Sequence, residues 1–251
     1  MHNDIIFLGG VENMNHSKII RNELRKFQTN EIILASKFYK EILHNQNVSE
    51  TSFYKLLERM YKSEQLVKLS KGIYYIPNKT KFGIVPISDE KIISLFINDN
   101  QGMVVGYSLY NKLNLTTQIS KKITILSSNV SNEIKNIRNI EIKNVKMNYS
   151  KDYIKIIEML EVLQNFNDIQ DINYNAFYKY VKEFSEEFNE TNTDYVIENI
   201  NYKKSTISFL HNILNYFGVN NNLNKHLSSL SKYKHFVMED IDEFTQTRKR
   251  F

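Results

Sequence analysis

The residues of this chain that could do chemistry lie close together, and their chemistry is recognition rather than bond-making. Within the stretch "VSETSFYKLLERMYKSEQLVKLSKGIYYIP" (residues 48–77), Ser49, Thr51, Ser52 and Lys55 fall at the start of a predicted helix. Arg59 and Lys62 follow on the same outward side, and Lys71 sits at the tip of a predicted hairpin. Short hydroxyls and a flexible ammonium at a helix start can approach base edges in the major groove. Arg59 and Lys62, further along, suit phosphates, and Tyr54 suits stacking or a phosphate contact. Lys71 would reach the DNA backbone or the minor groove. The expected DNA-binding set is therefore Ser49, Thr51, Ser52, Tyr54, Lys55, Arg59, Lys62 and Lys71.

Other constellations fail on spacing. "GYS" at 106–108 has the look of the Gly-Ser start of a nucleotidyltransferase site, but no aspartate occurs between Asp99 and Asp152 to hold metal and phosphates. Six histidines (2, 16, 44, 211, 226 and 235) show no metal-ligand spacing, and cysteine is absent. There is no Gly-rich phosphate loop and no nucleophile elbow. The chain therefore reads as a non-enzyme without cofactor or metal.

Hydrophobic periodicity supplies the elements that position the basic residues. Residues 16–27 place Ile19, Ile20, Leu24 and Phe27 on one side of a helix, with Asn15 or Ser17 as cap. Residues 31–44 repeat the pattern through Ile32, Leu34, Ala35, Phe38, Ile42 and Leu43. Ser49 is a good N-cap for a third helix whose buried face is Phe53, Leu56, Leu57 and Met60. Leu66–Leu69 and Ile73–Ile76 read as two strands joined by "SKG". Three short helices and a hairpin follow the order of a winged helix-turn-helix.

Beyond Pro77, "NKTKFGIVPIS" reads as a connector, 88–98 as a helix capped by Ser88 or Asp89, and "MVVGYSLYNKLNL" as strand end, turn and helix. Residues 123–128 and 139–147 read as strands. From 149 the signal is helical, near 150–166, 172–189, 191–200 and 203–217. The tail "EDIDEFTQTRKRF" reads as a helix with a basic end or a frayed terminus. "TTQ" at 116–118 is expected to turn the chain into the next strand, and the aromatics Tyr174, Phe177, Tyr178, Tyr180, Phe184 and Phe188 to line a core. The expected fold is α+β and mostly helical. A winged helix-turn-helix over 1–80 precedes a second domain over 81–251, mixed α/β to 148 and helical from 149.

Charge supports this division. Residues 1–84 carry 13 Lys+Arg against 8 Asp+Glu, whereas 85–251 carry 20 of each, so the whole excess of +5 sits at the front. A basic front suits a polyanion. Residues 151–200 carry 4 basic and 11 acidic residues, which suits a basic partner or a solvated helix surface. No run approaches the ~20 apolar residues of a membrane span, and the start makes a poor signal peptide, so a cytoplasmic protein is expected.

Two blocks carry a resemblance. "LVKLSKGIYYIPNKTKFGIVPISDEKI" and "GYSLYNKLNLTTQISKKITIL" together resemble the AbiEi family of type IV antitoxins. Lys71, Gly72, Ile73, Tyr74 and Pro77 match the first block. Gly106, Leu109, Asn111, Leu113, Leu115, Thr116, Thr117 and Gln118 match the second. The resemblance covers about residues 30–147. Asn114 stands where many relatives have glycine, and Lys71 where many have arginine. The resemblance implies a winged helix that binds inverted repeats of double-stranded DNA in its own promoter, as monomer or dimer, and represses the operon. It also implies that the rest of the chain opposes a nucleotidyltransferase-like toxin, without requiring a stable complex. The competing expectation is a winged-helix regulator without a toxin, whose C-terminal half dimerises or senses a ligand.

Overall fold

A computed structural model of the chain describes residues 8–130, 134–228 and 230–238, with side chains from residue 16 onward. The acidic-then-basic tail expected as a helix or frayed end lies outside the described residues. The fold is α+β with large helical regions, and it divides into two compact units that part between Leu95 and Phe96. The sequence places that boundary at 80. Compactness assigns the segment from 81 to Leu95 to the first unit.

The first unit is built from α1 (Leu8–Leu24), β1 (Ile32–Leu34), α2 (Ala35–Phe38), α3 (Glu50–Lys62), β2 (Val67–Ser70) and β3 (Ile73–Tyr75). A second hairpin, β4 (Asn78–Thr80) and β5 (Gly83–Val85), and most of α4 (Asp89–Ile97) follow. The sheet order β1-β3-β2 is that of a winged helix-turn-helix. Ile20, Leu24, Ile33, Phe38, Phe53, Leu56, Leu57 and Tyr74 share one core.

Three expectations are corrected here. Asn15 and Ser17 do not start α1, which begins at Leu8 and contains both. The second helix does not begin at 31: Ile32–Leu34 form a strand paired antiparallel with β3, Ile33 opposite Tyr74. A run of apolar residues just before a helix carries no local mark of its partner 41 residues away. The "connector" after Pro77 is the β4–β5 hairpin, with Lys79 opposite Ile84. All six of its strand residues are exposed, so the alternation that betrays a half-buried strand is missing. Ser88 caps α4, as the Lys91 backbone N–H donates to its Oγ at 3.3 Å.

The second unit holds a four-stranded sheet of β6 (Gly102–Val105), β7 (Ile123–Ser127), β8 (Ile134–Ile137) and β9 (Ile140–Asn144), ordered β6-β7-β9-β8. β7 and β9 are parallel, and the other pairs are antiparallel. Gly102 is required by a close approach: a Cβ there would lie 2.4 Å from the carbonyl oxygens of Phe96 and Leu126. The helices are α5 (Tyr107–Lys112), α6 (Lys151–Gln164), α7 (Tyr174–Glu186), α8 (Glu190–Asn199) and α9 (Lys204–Tyr216). They bury a core that includes Tyr149, Leu160, Phe177 and Leu210, and the remaining aromatics of the α7 stripe pack partly buried against it.

Asn114 lies in the left-handed region with φ 58°. The Leu115 N–H donates to the Tyr110 carbonyl and the Asn114 N–H to that of Asn111, which closes α5 with a Schellman turn. Asparagine tolerates this conformation, so the turn is kept. "TTQ" acts as a staple: Thr116 Oγ1 donates to the Gln170 carbonyl at 2.7 Å, and Gln118 Nε2 donates to Asp171 Oδ2 at 2.6 Å. Much of the acidic segment is paired internally, as in Lys112–Glu158 at 2.7 Å, Lys155–Glu187 at 2.5 Å and Lys225 with Glu190 and Asp194.

Candidate nucleic-acid interface

The helix α3 is defined at its start by two local devices. Ser49 is extended (φ −69°, ψ 140°), and its Oγ accepts the Ser52 backbone N–H at 3.2 Å. The same Oγ lies 2.8 Å from Ser52 Oγ and donates to it. Val48 just before the cap and Phe53 in the first turn are both buried in the same core, the arrangement of a hydrophobic staple. Glu50 in the first turn complements the helix dipole. At the other end, the Glu64 N–H donates to the Tyr61 carbonyl and the Gln65 N–H to that of Met60, closing a second Schellman turn with Glu64 at φ 54°.

Burial of Phe53, Leu56, Leu57 and Met60 leaves one outward face. Thr51, Lys55, Arg59 and Lys62 are exposed on it, and Ser52 and Tyr54 are half-buried at its margins. Burial, with the nearby Glu50 carboxylate, raises the Tyr54 phenol above its ordinary pKa, so it stays a neutral hydrogen-bonding group. Thr51, Lys55, Arg59 and Lys62 thus form a ladder three or four residues apart along a helix ~20 Å long. Ser49 differs from the others: its hydroxyl oxygen and proton are both engaged in the cap.

One acidic side chain interrupts the face. Glu58 lies between Lys55 and Lys62 in helical spacing, and Lys68 Nζ from β2 approaches its Oε2 to 3.5 Å. Lys68 also sits over the rings of Tyr61 and Tyr74, at 5.6 and 5.9 Å from their centroids. The aromatic pair holds the ammonium beside the carboxylate.

The turn from β2 to β3 forms the wing. Its register shifts between Lys68 and Ser70, and Gly72 takes φ +75°, a conformation that favours glycine. The Gly72 carbonyl accepts the Ala35 N–H at 2.9 Å, so the wing turn is tied to the start of α2. Lys71 is exposed at its tip. The seven other sequence-predicted residues lie on α3 or at its cap, and Lys71 lies on the adjoining wing.

Sequence reasoning missed Lys68, Lys79, Lys81 and Phe82. A signal existed: residues 65–88 hold four lysines and no acidic residue. No group of three His, Cys, Asp or Glu side chains among the described residues is placed to hold a metal ion. His226 instead pairs with Asp194 at 2.7 Å, and His211 and His235 take part in hydrogen bonds with Asn221 and Asn212. No helix among the described residues is long and apolar enough to cross a membrane.

No curated protein matches the chain. A family model does, over residues 19–179, a span that takes in α3, the wing and the four-stranded sheet. That is well over half of the chain, which therefore belongs to DUF6088, a family of unknown function.

Proposed function

We propose that the chain is a DNA-binding repressor of its own promoter that also serves as the antitoxin of a type IV toxin–antitoxin pair. The observation that carries the DNA reading is the outward face of α3. Four exposed side chains, Thr51, Lys55, Arg59 and Lys62, line one side of a capped helix whose opposite side is buried. A helix of this kind beside a basic wing suits the major groove, with hydroxyls and Lys55 toward bases and Arg59, Lys62 and Lys71 toward phosphates. Inverted repeats would be occupied by one copy at each half-site, in the cytoplasm where the promoter is.

Fluorescence anisotropy with the DNA upstream of the coding sequence tests this. Arg59→Ala and Lys71→Ala should weaken binding to all sequences, while Ser52→Ala and Lys55→Ala should also relax base preference. Unchanged binding in all four variants places the interface elsewhere.

The antitoxin half rests on the two matched blocks, the second of which forms α5, its Schellman turn and the "TTQ" staple. Its partner would be a nucleotidyltransferase-like toxin. Co-expression of the full chain with the product of an adjacent nucleotidyltransferase gene should restore growth. Failure to do so leaves a winged-helix regulator without a toxin.

A further inference from the structure

The β4–β5 hairpin lies outside α3 and its wing, yet its composition is that of a nucleic-acid contact. Its tip residue Phe82 is 88% exposed, beside an exposed Lys81 whose Nζ lies 5.0 Å from the ring centroid. Ile84 and Val85 on the return strand are exposed at 36% and 38%. The tip turn is closed by one side chain: Thr80 Oγ1 accepts the Phe82 N–H and donates to the Gly83 carbonyl, both at 3.2 Å. A large exposed aromatic held on a tight turn, with lysines on the same hairpin and four lysines but no acid across 65–88, matches the wedge-and-clamp pattern of side chains that enter the minor groove.

Position agrees. Lys79 Nζ reaches Glu64 Oε2 at 4.0 Å, which sets the base of the hairpin by the C-terminal end of α3. That end is ~20 Å, or about six base pairs, from the first turn of the helix. The tip would therefore meet DNA beside the site read by Ser52 and Lys55.

We propose that the β4–β5 hairpin is a second contact to double-stranded DNA, with Lys79 and Lys81 on phosphates and Phe82 wedged against a flanking base step. This rests on the DNA reading of α3. The test uses the full chain on upstream DNA carrying 2-aminopurine at successive flanking steps, with anisotropy titrations across salt concentrations.

The double variant Lys79→Ala/Lys81→Ala should reduce the slope of log affinity against log salt by about 1.8. Phe82→Ala should lose about tenfold in affinity, together with the fluorescence rise at one flanking step. Phe82 is solvent-exposed, so this variant does not disturb the core. If slope, affinity and fluorescence stay at wild-type values while Lys55→Ala still relaxes base preference, the hairpin proposal is overturned and the α3 reading stands. If the wild type binds no DNA at low salt, both fall. If Phe82→Ala leaves DNA binding unchanged but abolishes self-association in sedimentation, the hairpin is a protein contact and the proposal is overturned.

Discussion

Glu58→Gln should strengthen DNA binding while slightly weakening the fold. Glu58 stands in the outward face of α3, its side chain 43% exposed and 3.5 Å from Lys68 Nζ. On the DNA reading this carboxylate faces phosphates and occupies a lysine that would otherwise meet one. Two unit charges about 4 Å apart in water interact by about 1 kcal/mol, which corresponds to roughly fivefold in affinity. Freeing Lys68 for a phosphate adds about 0.9 to the salt slope, or roughly threefold to fourfold more attenuation between 50 and 200 mM salt. The exposed ion pair contributes no more than about 1 kcal/mol to the fold, so the melting temperature should fall by only a few degrees. Anisotropy titrations at two salt concentrations, with a thermal melt of the same samples, read all three quantities. Binding that is unchanged or weaker, with an unchanged slope, would falsify the assignment of this face to DNA.

Glu64 holds a left-handed conformation (φ 54°) at the end of α3, and its ion pair with Lys79 is stretched to 4.0 Å. Glu64→Gly should therefore stabilise the first unit by about 1 kcal/mol, seen as a higher midpoint in urea; a lower midpoint would show that the ion pair outweighs the backbone strain. Asp194 titrates below the ordinary aspartate value: burial opposes this, and hydrogen bonds from Lys225 and His226 more than offset it. Its stabilisation is present above the ordinary aspartate range and is lost as pH falls through the folded value, so Asp194→Asn should lower stability at pH 7 and flatten the acid limb of an unfolding curve. Glu161 behaves oppositely, since burial raises its pKa and the Lys143 charge only partly offsets this. Its contribution is most favourable below the ordinary glutamate range and is lost as pH rises through the folded value. Glu161→Gln should raise the melting temperature at pH 7, with the gain vanishing toward pH 4; a gain independent of pH would point to packing instead.

Much of the first unit was legible because its signals are local. Ser49, the 3.6-residue spacing of Phe53, Leu56, Leu57 and Met60, and the Lys71-Gly72 turn each act within one helix or one hairpin. β1 was hidden because Ile32–Leu34 become a strand only by pairing with Ile73–Tyr75. The β4–β5 hairpin was hidden for the opposite reason: neither of its faces is buried, so no periodicity marks it. In the second unit, β8 was missed and the parallel pairing of β7 with β9 is non-local, whereas helices α6 to α9 announced themselves by period alone.

The sequence by itself determined where the chain is basic, which residues α3 turns outward and where α3 starts. These follow from side-chain charge, helical period and a cap that bonds three residues ahead. Only the tertiary structure decided that Lys68 answers Glu58 across the α3–β2 turn, that the wing turn is tied to α2 through Gly72 and Ala35, and that Phe82 stands exposed on a hydrogen-bonded hairpin tip. Those outcomes depend on which distant segments meet, and the energy of such meetings is not written in any one stretch of residues.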